Sequence, residues 1–151
     1  MEKKFKLEKI LEFREKALER EKIKLADLSR KDVELAEEMN AIADDIKQKT
    51  IEMENEKANG HFDFINMFNK FIGYRQNDFL QVAQQREVLN IEIAKQKEVL
   101  RNALNDVKVM EKLKAKHLLD YANFVKKQEE NQIDEINITR QNKNLDWIIC
   151  S

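Results

Sequence analysis

Residues 58–77 read ANGHFDFINMFNKFIGYRQN and hold both glycines of the chain, Gly60 and Gly73, in a sequence without proline. Asn59-Gly60 is a helix-stop signal, because both residue types tolerate left-handed backbone. Asp63 is placed to cap a short helix over about residues 64–72. Gly73 reads as a second punctuation point. Phe62, Phe64, Phe68 and Phe71, with Phe79 just beyond, bring five of the eight phenylalanines into this break. The stretches on either side of it decide the fold, because neither contains a breaker.

Toward the N-terminus, residues 2–58 keep a heptad step. One register is Leu11, Leu18, Leu25, Asp32, Met39, Ile46 and Met53; its companion is Leu7, Arg14, Glu21, Leu28, Leu35, Ile42 and Lys49. Alternating three- and four-residue spacing makes a seam, with polar defects at Arg14, Glu21, Asp32 and Lys49. Toward the C-terminus, a second seam runs through Phe79, Arg86, Ile93, Leu100, Val107, Lys114, Tyr121 and Gln128, with Val82, Leu89, Gln96, Ala103, Met110, His117 and Phe124. A 55-residue helix is about 80 Å long, ordinary only for a coiled coil. The predicted fold is all-α: a long antiparallel two-helix coiled-coil hairpin with a short helical or irregular tip, in one domain. Its boundaries are a long helix over 2–58, a tip segment over 59–76, a long helix over 77–140 and a frayed tail over 141–151. The competing architecture is a parallel dimer of one interrupted rod.

Composition agrees with long thin helices. Of 151 residues, 38% are charged and 7% aromatic, while 42% are hydrophobic, too many for a disordered tail. Two glycines and no proline serve turn-rich sheets and glycine-loop nucleotide folds badly. The single cysteine, Cys150, has no internal disulfide partner, and a reduced cytoplasmic setting is the simpler expectation. No 18-residue apolar window and no signal-peptide h-region is present, so neither a membrane span nor a leader is expected.

Charge is segregated although the net is −1. Residues 1–30 carry ten Lys/Arg against seven Asp/Glu, residues 31–59 four against nine, and residues 94–127 nine against four. Folding back brings the two basic stretches to the free-ends half, suited to an acidic ring or channel of a partner protein; the alternative is a solvated face of mixed salt bridges. Nucleic acid is not an expected partner: Glu98, Asp106, Glu111 and Asp120 interrupt the basic stretch, and it lacks interleaved aromatics. Several apolar residues lie off the seams: Phe5, Ile10 and Phe13; Leu118, Leu119 and Val125; Ile133, Ile136 and Ile138; then Trp147, Ile148 and Ile149. They either broaden the hairpin contact, dock another protein, or are scattered surface residues.

Chemistry is sparse. His61 and His117 lie in different segments with no cysteine near either, so structural zinc spacing is absent. No phosphate-binding glycine loop occurs. The neighbouring carboxylates Glu37-Glu38, Asp44-Asp45 and Glu129-Glu130 point about 100° apart on a helix and form no clefted dyad. No catalytic residue, metal or cofactor is expected.

Three stretches resemble the flagellar export FliJ family and the related stalk proteins of type III secretion. Phe5 to Arg14, FKLEKILEFR, is similar to the family's N-terminal F-x-L-x-x-x-L-x-x-R. LKAKH, Leu113 to His117, stands where the family has a basic Leu-led stretch. KKQEENQIDEI, Lys126 to Ile136, ends in the family's Asp-Glu step at Asp134-Glu135. The resemblance implies a non-enzymatic cytoplasmic protein of flagellum biogenesis, protein export and motility, attached to the membrane only through partners. Those partners would be the hexameric export ATPase, the cytoplasmic domain of the export gate, and export chaperones. Carried over by motif, Phe5, Leu7, Leu11, Arg14, Asp134 and Glu135 would face the ATPase, and Met39, Ile42, Phe71 and Tyr74 the gate. The alternative is a general coiled-coil scaffold or export chaperone that holds clients through the aromatic middle without an ATPase.

Overall fold

The computed structural model describes the backbone of residues 1–150 and the side chains of residues 1–145. It is an antiparallel hairpin of two helices, α1 (Glu8–Ala58) and α2 (Ile65–Cys150), with no strand among the described residues. α1 ends where Asn59-Gly60 directs. Gly60 adopts φ 76°, its amide donates to the Lys57 carbonyl at 3.1 Å, and the His61 amide reaches back to the Glu56 carbonyl at 2.8 Å. This pair of bonds is a Schellman cap, which satisfies carbonyls that the last turn leaves orphaned.

The tip is shorter than the sequence suggests. Gly73 is not a break but an interior residue of α2, and the expected short helix over 64–72 forms the first turns of that helix. The reason is local. Half-buried Ile72 and Arg75 stand on either side of Gly73, which takes no positive φ, so its cost of about 1 kcal/mol relative to alanine is absorbed by continued hydrogen bonding. At the other end α2 continues through the stretch expected to fray, as far as Cys150. The expectations for Trp147, Ile148, Ile149 and Cys150 as side chains lie outside the described residues.

Two compact units share the helices: Met1–Lys16 with Leu104–Ser151, and Ala17–Ala103. In the second, Leu18, Ile42, Met53, Val82 and Leu89 are buried. Every seam position of that unit is buried or half-buried, the polar ones included. Those polar positions find each other, and so do Asp45 and Arg75 beside them. Gln96 Nε2 donates to the Glu21 carbonyl at 3.1 Å and to its carboxylate, Arg86 Nε meets Asp32 Oδ1 at 2.9 Å, and Arg75 Nε meets Asp45 Oδ2 at 2.9 Å. As one partner climbs from Glu21 to Asp32 to Asp45, the other descends from Gln96 to Arg86 to Arg75, which fixes the antiparallel register. Lys49 lies over the Phe71 ring, 5.5 Å from its centroid. In the first unit Phe5, Leu11, Val107 and Met110 are buried, and Lys114 Nζ pairs with Glu8 Oε2 at 2.9 Å.

Candidate functional site

The unit that holds the chain ends is built from three parts. Residues 1–7 precede α1 without forming helix and lie against α2. Phe5 anchors them: its ring sits 5.8 Å from the His117 imidazole, tilted by 44°, and is nearly excluded from solvent. A His117 ring nitrogen lies 3.3 Å from the Lys3 carbonyl. Met1, Glu2, Phe5, Lys6, Leu7 and His117 line a shallow groove of about 550 Å³ there. One turn into α1, Leu11 is buried and Arg14 Nη1 donates to the Asp106 carbonyl at 3.3 Å.

Beyond Val125, α2 continues alone. Every described residue from 126 to 145 is exposed, including Ile133, Ile136, Ile138 and Leu145. The lone stretch changes sign: residues 128–139 hold Glu129, Glu130, Asp134 and Glu135 and no base, while residues 104–127 hold six lysines against three acids.

The six residues assigned to one end by motif therefore play different parts. Phe5 and Leu11 are packing residues. Leu7 is partly exposed, and Arg14 is half-buried with its guanidinium engaged on a carbonyl. Asp134 and Glu135 are fully exposed and are not brought beside Phe5; they lie about 25 Å further along α2 than His117, the residue Phe5 touches. Reasoning from seams missed how much of α2 is left unpaired. The signal was available in the numbering: 59 residues precede Gly60 and 91 follow it. A hairpin hinged at that glycine, rather than at the centre of a twenty-residue break, cannot match them all.

In the other unit, Ile42 is 2% exposed, Met39 and Phe71 are half-buried, and Tyr74 is 66% exposed. Only Tyr74 of these four presents its ring to solvent. Nearby, Ala43, Ile46, Gln76, Phe79 and Leu80 line an apolar groove of about 460 Å³. Around the tip, Phe62, Phe64 and Met67 are exposed as well. His61 Nδ1 lies 2.9 Å from Glu56 Oε2.

Electrostatics adds no reactive group. Glu21 is held below the usual glutamate range, first by the hydrogen bond from Gln96 and then by Lys24 and Arg20, against partial desolvation. Arg86 is held still more firmly protonated by Asp32. Both shifts belong to groups engaged in pairing the two helices, not to an acid or base poised in a cleft. Among the described residues there is no cluster of three or more metal-ligating side chains, and no helix is long and apolar enough to cross a membrane.

A family model described as "Flagellar FliJ protein" matches residues 3–145. No curated protein and no solved structure matches the chain.

Proposed function

The chain belongs to the flagellar FliJ protein family, and on that premise we propose that it is the stalk that binds the hexameric export ATPase and couples it to the export gate. Members of this family are non-enzymatic helical components of the flagellar export machinery, so hydrolysis belongs to a partner. A chain without chemistry of its own acts on an ATPase only by binding its states unequally. The observation that carries the reading is the unit with the free ends. It presents lysine-rich surface, a strap held by one aromatic, and a lone length of α2 whose backbone is satisfied internally and whose described side chains, 126–145, are all exposed.

Within that unit, Leu7, Arg14, Asp134 and Glu135 would make the ATPase contact, while Phe5 holds the strap in place and Leu11 packs in the seam. Tyr74, supported by Phe71, Met39 and Ile42, would face the cytoplasmic domain of the gate. Export chaperones would be further partners. The protein would reside in the cytoplasm, at the membrane face through the export apparatus alone.

The test is addition of the purified chain to the cognate export ATPase, with hydrolysis rate and ring formation as readouts. Stimulation by wild type, and its loss in Arg14→Ala at unchanged helicity, are expected. No stimulation and no co-migration would refute the proposal. The exposed Phe62, Phe64 and Met67 favour a second reading, a chaperone that holds export clients. Capture of unfolded clients by wild type and not by Phe62→Ser/Phe64→Ser, without any effect on the ATPase, would select it.

A further inference from the structure

The face of α2 opposite its seam carries a pattern that the hairpin does not use and of which the ATPase reading takes only Asp134. In the free-ends unit the seam of α2 runs through Val107, Met110, Lys114, His117 and Tyr121, buried or half-buried, before Phe124 and Gln128 at its end become exposed. At about 100° per residue, the opposite face holds Lys112, Lys116, Leu119, Asn123, Lys127, Glu130 and Asp134. All seven are exposed. The ion pair of this unit uses Glu8 and Lys114. Among the described residues Lys112, Lys116, Glu130 and Asp134 make none.

Four of the five charges along this face are antisymmetric about Asn123; the fifth, Lys127, falls opposite Leu119. Lys112 and Lys116 stand as far before it as Asp134 and Glu130 stand after it. A two-fold interface requires one patch to be complementary to itself. An antiparallel copy centred on Asn123 meets that requirement: Lys112 falls opposite Asp134, and Lys116 opposite Glu130, twice over. Leu119 lies next to the axis. Val109 and Ile138, both exposed, fall on the same flank within one residue of register. A parallel copy would set lysine on lysine and acid on acid. A partner of uniform charge would satisfy one half of the face and repel the other.

We propose that this face binds a second copy of the chain, antiparallel, with Asn123 at the two-fold axis. The contact is charge-led and small in apolar area, so the dimer is weak and dissolves as salt screens it. It does not depend on any ATPase contact.

Sedimentation equilibrium under reducing conditions, which keep Cys150 from cross-linking, tests it with protein up to about 0.5 mM. At about 50 mM salt the wild type should approach twice the monomer mass, and at about 500 mM salt return to monomer. Lys112→Glu/Lys116→Glu and Glu130→Lys/Asp134→Lys should each stay monomeric with wild-type circular dichroism. Mixed in equal amounts, the two variants should associate, because every mismatched charge then meets its opposite. The quadruple variant should dimerise like wild type. A wild type that stays monomeric at low salt overturns the proposal. So does association of either double variant alone, or failure of the mixture to associate.

Discussion

Ile42 and Tyr74 stand in the same candidate gate-facing group, but the structure gives them opposite exposures, so their substitutions should separate folding from recognition. Ile42→Ala removes three buried carbons from a side chain that is 2% exposed. At about 0.8 kcal/mol per carbon the transfer loss is about 2.4 kcal/mol, and a cavity contribution is small because a two-helix seam can close on the gap. For a chain of this size that corresponds to a fall in melting temperature of about 5–10 °C. Tyr74→Ala removes a ring that is 66% exposed, and should change stability by less than about 0.5 kcal/mol. The assay pairs thermal melts followed by circular dichroism with a pull-down by the cytoplasmic domain of the export gate, run well below both melting temperatures. Tyr74→Ala should lose gate binding with an unchanged melt. Ile42→Ala should melt early yet bind once folded. Retained binding by Tyr74→Ala, or an unchanged melt for Ile42→Ala, would refute the division of roles.

Three other perturbations follow from the same geometry. The two glycines should respond with opposite signs: Gly60→Ala places a β-carbon at φ 76° and should destabilise by about 1 kcal/mol, whereas Gly73→Ala, with open space around it, should stabilise by about 0.5–1 kcal/mol in chemical denaturation. Asp32 and Arg86 are both partly exposed, so a double-mutant cycle should give only a weak coupling, and Asp32→Leu/Arg86→Leu should be at least as stable as wild type. Glu21 has a lowered folded-state pKa, so its contribution is complete above the ordinary glutamate value and is lost as pH falls below that value through the lowered one. The melting advantage of wild type over Gln96→Leu should therefore be larger at pH 7 than at pH 3, and an advantage independent of pH would contradict the assignment.

The seams were legible because apolar spacing at three and four residues has one economical solution, and from Leu11 to Tyr121 the residues it names are the ones that the two helices bury or half-bury. Even the apparent defects were informative. Arg14, Glu21, Asp32 and Lys49 on α1 read as interruptions when taken alone, since a heptad list carries no record of what lies opposite. Once the chain folds back, Asp32 meets Arg86, Glu21 meets Gln96, and Lys49 covers Phe71. Gly73 was misread for a different reason. Glycine signals a stop only where the backbone needs positive φ, and sequence alone does not say which of two nearby glycines meets that need; Gly60 does. The candidate site was legible by motif and not by placement. Phe5 and Leu11 carry a recognisable spacing, but spacing cannot distinguish a residue that holds the strap from one that touches a partner.

The polar layers explain why this hairpin keeps a single register. A seam of leucine alone would pair almost as well after sliding one heptad, a displacement of about 10 Å. Here such a slide is costly. It would move Asp32 from Arg86 to Phe79 or Ile93, and Glu21 from Gln96 to Leu89 or Ala103. Each displacement takes a carboxylate away from its donor and sets it against an apolar side chain. The native pairs add little net stability, because desolvation offsets much of their attraction; their effect is on the alternatives, which they penalise. A protein without chemistry of its own can act on a partner only through where its side chains stand. Penalties against slippage are then more valuable to it than a larger core, which is the expected reason that charged and amide residues occupy positions where leucine would pack better.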